Sequence, residues 1–175
     1  MQNHIFSDKK VNRQLATVIM TCFVTVVMAV AGGSQGGGAR LVALKAVGDG
    51  YPLRGTLRVA PGPDQPDAVV QGIPAPGTVW VDAALLVQLD LRMGQPLLLG
   101  DARFTIDRIV SVEPDRGAGF MSFAPRVMIN AADLPATGLV QPASRLTYRL
   151  AVAGEARPVR DFVAWATAEA RKPVV

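Results

Sequence analysis

The sequence is poor in the residues on which most metal sites and crosslinks depend. Its 175 residues include one cysteine, one histidine and only 6% aromatic residues. Cys22 has no second cysteine with which to form a disulfide in this chain. A structural zinc site needs about four nitrogen or sulfur ligands, and His4 with Cys22 cannot supply them. We therefore expect no metal centre and no cofactor.

Catalytic motifs are also missing. No serine lies in a G-x-S-x-G turn, and the one histidine that could act as a base is His4 in the polar N-terminal segment. The glycine run at 36–38 leads into a predicted strand and lacks the Lys-Ser/Thr pair of a phosphate-binding loop. We predict that the chain is not an enzyme and that it does not bind ATP.

Charge excludes a further class of partner. The net charge is +4, and the arginines are scattered singly rather than in a stripe that would neutralise phosphates, so we expect no nucleic acid partner. Half of the residues are hydrophobic and 18% are charged, a balance typical of a folded chain.

The apolar run Leu15–Ala31 has two interpretations. Its 17 residues carry no charge and end in Ala29-Val30-Ala31, which suits a secretory signal cleaved near Ala31. The run is shorter than the about 20 residues of a membrane-spanning helix. It is also rich in β-branched residues, which favour strands, and a glycine-rich loop follows. The second interpretation is that Thr21–Ala31 forms a strand that pairs with Leu41–Val47.

The remaining pattern alternates short strands with few helices. Asp82 is placed to cap a helix over Ala83–Leu89, and an amphipathic helix is predicted over Pro158–Arg171. Strands are predicted at Leu41–Val47, Arg54–Ala60, Thr78–Val81, Pro96–Leu99, Ala102–Glu113, Val127–Asn130 and Arg145–Val152. The fold class is α+β, with short, mostly antiparallel strands and two or three helices.

Proline marks a boundary at 61–77, a stretch with five prolines. We predict two small subdomains after a polar segment and the start of the apolar run at 1–20. The first combines 21–60 with 137–172, and the second is a β-rich insertion at 74–130.

The long strand Ala102–Glu113 has one irregularity. Its apolar residues Phe104, Ile106, Val110 and Val112 share one face, and Arg108 interrupts that face. This interruption predicts a sheet edge or a β-bulge near Arg108.

The loop at 113–126 is the candidate recognition surface. It holds Phe120, Met121 and Phe123 between Arg116 and Arg126, a combination enriched in interface cores. The alternative is that the two phenylalanines anchor the loop in the core, while Asp115 and Arg116 pair with each other or with a neighbour.

Several blocks resemble a known family. The segments LKAVGDGYPLRGTL, PAPGTVWVDAALL, EPDRGAGF, APRVMIN and TGLVQPASRLTYRL are similar, in order and spacing, to the extracytoplasmic domain of FtsX-like, MacB-like ABC transporter permeases. The resemblance covers about Leu41 to Gly154. Asp90 and Gln95 depart from it, both in one turn.

The resemblance implies a non-catalytic domain at the periplasmic face of the bacterial inner membrane. It implies a cytoplasmic ATPase partner acting through transmembrane parts outside this chain, and a substrate among lipids, lipoproteins and other amphiphiles, with a periplasmic partner protein as a further possibility. It also favours the strand interpretation of Thr21–Ala31. The alternative function is a freestanding secreted binding module released by cleavage near Ala31.

Overall fold

A computed structural model describes residues 19–32, 37–116, 123–141 and 147–170. The chain divides into two compact units, one of residues 20–151 and one of residues 1–19 with 152–175. The strands are β1 (Ile19–Ala31), β2 (Ala39–Val47), β3 (Arg58–Ala60), β4 (Ala68–Val69), β5 (Thr78–Val81), β6 (Pro96–Leu99), β7 (Ala102–Val112), β8 (Arg126–Asn130) and β9 (Thr147–Val152). The helices are α1 (Ala83–Leu89), α2 (Ala156–Ala170) and a 3-10 helix (Ala131–Thr137).

Six of these strands form a sheet that closes on itself. The neighbours run β7-β5-β8-β2-β1-β6, and β6 pairs back with β7. The β2–β8 and β5–β7 pairs are parallel, whereas β1–β2, β1–β6, β5–β8 and β6–β7 are antiparallel. β3 and β4 extend the sheet beyond β7, and β9 pairs with β1. The predicted α+β class is confirmed, while the two parallel pairs had no signal in the sequence.

The closed sheet encloses the main hydrophobic core. Alternate residues of each strand point inward, as the period of two requires. In β2, for example, Val42, Leu44 and Ala46 are fully buried in this core. Helix α1 adds Leu85, Leu86 and Leu89, and its N-cap is Asp82, whose side chain accepts a hydrogen bond from the backbone of Ala84. Both the helix bounds and its cap agree with the sequence prediction.

A second, smaller core lies on the outer face of the same strands. It consists of Val47, Tyr51, Leu57, Val59, Trp80, Val110 and Met128. The connection between β2 and β3, residues 48–57, contributes Tyr51 and Leu57 to it. The outer face of β2, β5 and β8 is therefore covered rather than open to water.

Strand β1 confirms the hairpin interpretation of the apolar run. It pairs with β2 from Cys22 opposite Val47 to Val30 opposite Ala39, and its last three residues also pair with β6. The strand begins at Ile19, two residues before the predicted start. No helix among the described residues is long and apolar enough to cross a membrane.

The predicted strand over Arg54–Ala60 is wrong in its first half. Only Arg58–Ala60 is a strand, and it pairs with β4 and β7. Gly55 has a φ of 80°, a left-handed conformation that ends extended structure. The chain therefore turns at Gly55 and re-enters the sheet on its far side.

Strand β7 contains the predicted bulge. Its pairing with β5 shifts register so that Ile106 faces Val79 but Arg108 faces Trp80. The extra residue reverses the alternation beyond it. Ile109 accordingly joins the main core. Val110 packs in the second core instead, and Val112 is 44% exposed, so the prediction that both share a face with Phe104 and Ile106 is wrong.

Helix α2 lies close to its predicted bounds. In it the rings of Phe162 and Trp165 have centroids 5.7 Å apart. The closed sheet takes β1 and β2 from the proposed first subdomain and β5 to β8 from the proposed insertion. The division into 21–60 with 137–172 and 74–130 stays a prediction.

Candidate functional site

A buried ion-pair network lies on the outer face of β2, beside the end of β7 and the start of β8. Its centre is Lys45, which is 1% exposed. The Nζ atom of Lys45 donates to Glu113 Oε1 at 2.7 Å, to Asp115 Oδ1 at 2.6 Å and to the hydroxyl of Tyr51 at 3.0 Å. The Tyr51 hydroxyl in turn donates to Asp115 Oδ1 at 2.6 Å. All three donors of the ammonium group are thus satisfied.

Arg126 completes the network from β8. Its Nε atom donates to Glu113 Oε2 at 2.7 Å, and Nη2 donates to the carbonyl of Arg116 at 3.2 Å. The side chains of Arg126 and Glu113 are 3% and 0% exposed. Each oxygen of Glu113 therefore binds a different buried cation, Lys45 through one and Arg126 through the other.

An outer pair joins the network to helix α1. Arg116 Nη2 donates to Asp82 Oδ2 at 2.8 Å, and the other oxygen of Asp82 caps the helix. The cations Lys45, Arg116 and Arg126 thus face the anions Asp82, Glu113 and Asp115. This balance matters because an uncompensated buried charge is strongly destabilising.

The carboxyl of Asp115 is the titratable group of this network nearest to solvent, with its side chain 40% exposed. Burial by itself would raise its pKa. The hydrogen bonds from Lys45 and Tyr51 and the charge of Lys45 outweigh that effect, and they hold the pKa of Asp115 below its ordinary value. The ionised form of Asp115 is therefore the form that the fold favours.

We expect Asp115 to make the stability of the fold depend on pH in the acid range. Because its pKa is lower in the folded than in the unfolded chain, its contribution is fully present above about pH 4 and is lost as pH falls through the folded pKa. Urea unfolding should show Asp115→Asn to be destabilised at pH 6, with a deficit that shrinks towards pH 3. Asp64→Asn makes the same chemical change at an exposed position and is the control. A deficit for Asp115→Asn that is constant with pH would contradict the assignment.

Two of the predicted recognition residues belong to the ion-pair network. Arg126 is buried in it, and Arg116 is 35% exposed and paired with Asp82. Phe123 is 85% exposed. Phe120 and Met121 lie outside the described residues. Among the described members of this set, Phe123 is thus the apolar side chain that faces water, and the recognition surface stays a prediction.

A close contact joins the 48–57 connection to the network. A Cβ atom added at Gly55 would lie 2.5 Å from Cβ of Pro114, the residue between Glu113 and Asp115. The backbone of Gly55 therefore packs directly on the segment that carries both carboxylates.

We expect Gly55→Ala to destabilise the fold more than Gly94→Ala. Both glycines have similar φ angles, 80° and 78°, so both changes carry the left-handed cost of about 1–2 kcal/mol. Only Gly55 adds the overlap with Pro114, since nothing lies within 4 Å of a Cβ at Gly94. Overpacking of this kind adds about 1–3 kcal/mol. Urea unfolding of the two variants measures the difference, and equal losses would refute the contact.

An open cleft lies beside the same connection. Its volume is about 490 Å³, and its lining comprises Gly50, Tyr51, Pro52, Gly55, Thr56, Leu57, Val69, Val70, Gln71 and Gly72. Tyr51 and Leu57 at its base are buried, whereas Val69 is 57% exposed. Tyr51 thus belongs to both the cleft and the ion-pair network. Gly55, which also lines the cleft, contacts Pro114 between the two carboxylates.

Sequence reasoning missed the centre of the network. The sequence pattern predicts a strand at Lys45 but no ionic partner for it. A lysine between Leu44 and Ala46, in a run buried on both faces, is itself a signal for a buried ion pair. Asp115 and Arg116 do not pair with each other. Asp115 pairs with Lys45, and Arg116 pairs with Asp82. No group of three or more His, Cys, Asp or Glu side chains in the described ranges is arranged to hold a metal ion.

Comparison with known proteins finds a relative by sequence. The chain is 36% identical over 126 residues to the protein named "Uncharacterized ABC transporter permease YbbP" of Escherichia coli K12, a match that covers 72% of this chain and 15% of that protein. The chain is also similar to the crystal structure of the periplasmic region of MacB from Actinobacillus actinomycetemcomitans. That similarity has a TM-score of 0.49 and 11% identity, over 86% of this chain and 65% of the other. No family model matches the chain.

Proposed function

We propose that this chain, as a relative of the FtsX-like, MacB-like permeases of ABC transporters, is a domain on their extracytoplasmic side. In this proposal it is not catalytic. It transmits motion driven by a cytoplasmic ATPase to the handling of a lipid, lipoprotein or other amphiphile at the outer face of the membrane. The observation that carries the proposal is the 36% identity over 126 residues to a permease.

The geometry of the ion-pair network supports a role in transmitting motion. Lys45 on β2 and Arg126 on β8 hold Glu113 and Asp115 at the end of β7. Three strands of the closed sheet are therefore joined to the start of the 113–126 loop by charged hydrogen bonds, which are stronger than neutral ones. A displacement of these strands moves the carboxylates with them, so the start of the loop follows the sheet.

The exposed ring of Phe123 supports a contact surface on that loop. It is 85% exposed and lies three residues before the buried Arg126. Such a side chain adds nothing to the core, while aromatic residues are enriched where proteins bind partners. We assign the contact to Phe123 together with the partly exposed Arg116, and Phe120 and Met121 belong to the same proposed surface.

Labelling of the intact transporter tests this proposal. A Cys22→Ser, Phe123→Cys permease should react with a membrane-impermeant maleimide added outside the cytoplasmic membrane. With the ATPase present, ATP and vanadate should change the labelling rate several-fold. Val87→Cys on α1, at an 83% exposed position, is the control for general accessibility. Labelling that occurs only in permeabilised membranes would refute the proposed location. Labelling rates that are identical with and without nucleotide would refute the proposed coupling.

We expect Phe123→Ser to separate stability from function. Because the ring is exposed, the change should cost under about 0.5 kcal/mol, so the melting temperature should stay within a few degrees of the wild type. Activity of the intact transporter should nevertheless fall, while Val87→Ser should leave it unchanged. A marked loss of thermal stability would identify Phe123 as a structural anchor and remove it from the proposed surface.

The alternative function is a secreted binding module cleaved near Ala31. Cleavage there would remove β1, which lies between β2 and β6 in the closed sheet. The truncation described in the Discussion therefore distinguishes the two functions.

A further inference from the structure

We propose that Asp49 and Gly50 form a site of spontaneous modification, where the aspartyl linkage rearranges to an isoaspartyl linkage through a succinimide ring. The sequence contains this one Asp-Gly step and no Asn-Gly step. Both residues are exposed, and they lie in the turn that follows β2. The site is separate from the contact surface at Phe123, and the proposal does not rest on the proposed function.

The rearrangement needs no reactant other than water. The backbone nitrogen of Gly50 attacks Cγ of Asp49, so that an N–C bond forms, and the amide proton leaves with the carboxyl hydroxyl as water. A second water then adds to one of the two ring carbonyls. Where it adds to the original backbone carbonyl of Asp49, the bond from that carbon to the nitrogen breaks. The chain then continues through Cβ and Cγ of the former side chain.

The turn leaves both reacting groups free. Gly50 has no side chain to hinder ring closure, and its φ of 84° lies in the left-handed region that glycine adopts readily. Among the described residues, none accepts a hydrogen bond from the Gly50 N–H, and none donates one to the Asp49 carboxyl. The nitrogen and the carboxyl can therefore meet without breaking a hydrogen bond of the fold.

Asp64 offers a direct contrast within the same chain. It is exposed, as Asp49 is, but the residue that follows it is Gln65. The Gln65 N–H donates a hydrogen bond to the carbonyl of Gly62 at 3.2 Å. Both the side chain of Gln65 and this hydrogen bond oppose attack on the Asp64 carboxyl. We therefore expect isoaspartate to form at Asp49 and little to form at Asp64.

Isoaspartate at Asp49 has a direct path to the ion-pair network, because it adds one atom, Cβ, to the backbone between Val47 and Tyr51. Both of these residues are buried in the second core, so the two ends of the turn are fixed. The Tyr51 hydroxyl donates to Asp115 at 2.6 Å and accepts from Lys45 at 3.0 Å. The added atom displaces Tyr51 and so lengthens these hydrogen bonds.

Peptide mapping of aged protein tests the site. The full 175-residue chain is kept for weeks at neutral pH, then unfolded and cut with trypsin. Electron-transfer fragmentation distinguishes isoaspartyl from aspartyl residues, and fresh protein digested in parallel gives the background. Isoaspartate at position 49 should accumulate at least tenfold faster than at position 64. A smaller ratio, or aspartate that persists at position 49, would overturn the proposal.

Two variants control the chemistry at Asp49, and both should fold as the wild type does because the position is exposed. Asp49→Asn closes the same ring with loss of ammonia. It should form isoaspartate faster than the wild type, since a neutral amide is attacked more readily than a carboxylate. Asp49→Glu requires a larger ring and should stay unmodified. The proposed ring is wrong if Asp49→Asn reacts no faster than the wild type or if Asp49→Glu rearranges as fast.

Thermal unfolding of the aged samples tests the effect on the network. Aged wild-type protein should show an additional transition several degrees below that of fresh protein, in proportion to its isoaspartyl fraction. Aged Asp49→Glu should keep only the original transition. An isoaspartyl fraction that unfolds together with fresh protein would overturn the link between Asp49 and the network. None of these results bears on the proposed function, which rests on sequence similarity to a permease.

Discussion

Glu113→Gln is expected to lower the free energy of unfolding by about 3–5 kcal/mol, the usual loss when one partner of a buried ion pair is removed. The variant keeps the shape of the side chain but removes its charge. Lys45, almost fully buried, then keeps the more exposed Asp115 as its ionic partner. Arg126, which is equally buried, loses the carboxylate that it binds. For a chain of this size the melting temperature should fall by roughly 6–20 °C. Urea and thermal unfolding at pH 7 measure both quantities.

Asp67→Asn is the matched control, since it makes the same chemical change at an exposed pair. Asp67 binds Arg58 at 2.7 Å, with side chains 31% and 38% exposed. Ion pairs exposed to solvent contribute little to stability. If Asp67→Asn costs as much as Glu113→Gln, the buried network does not stabilise the fold more than a surface pair does.

A double variant refines the same result. Adding Arg126→Gln to Glu113→Gln removes one charge of each sign and restores the balance of the network. Its loss of stability should be smaller than the sum of the two single losses, by about 0.5–3 kcal/mol, as for other residues in direct contact.

A chain without residues 1–31 is expected not to fold cooperatively. The deletion removes β1, so β2 loses its antiparallel partner and β6 loses a neighbour. The closed sheet opens, and the inward side chains of β2 such as Leu44 meet water. A broad, non-cooperative thermal transition, followed by circular dichroism, is the expected observation. A soluble, cooperative 32–175 protein would contradict it and would favour cleavage near Ala31.

Two adjacent residues give a version of this test without truncation. Val27 is 9% exposed and Met28 is 49% exposed, because neighbouring side chains of a strand face opposite sides. Val27→Asp places a charge in the core at a cost of several kcal/mol. Met28→Asp should cost under about 1 kcal/mol. Equal effects would show that β1 does not have its inner face in the core.

Local elements were predictable because their signals are local. Asp82 followed by three leucines at the right spacing specifies both the cap and the buried face of α1. Phe104 and Ile106 alternate as a half-buried strand should, and the break at Arg108 indicated the bulge in β7. The exposure of Val112 was not predicted. A register shift moves every later residue of the strand to the opposite face, and the sequence did not show where the shift occurs.

The pairing of strands that are distant in sequence could not be predicted from the sequence. Nothing near Ala43 indicates that it lies opposite Arg126 in a parallel pair, since that register depends on contacts between distant segments. The same holds for the ion-pair network, whose members Lys45 and Glu113 are 68 positions apart. Their charges are visible in the sequence, but their meeting depends on the closure of the sheet.

That closure has a consequence for self-association. Open sheet edges expose backbone groups that other chains can pair with, and this is a common route to aggregation. On the side where the sheet extends beyond the closed ring, the outermost strand is β4, which has only two residues, Ala68 and Val69. Pro66 precedes β4 and Pro74 follows it, and proline cannot donate to a growing ladder. At this edge, therefore, only the two residues of β4 offer backbone groups for pairing with a strand of a neighbouring chain, and prolines lie on both sides of them in sequence.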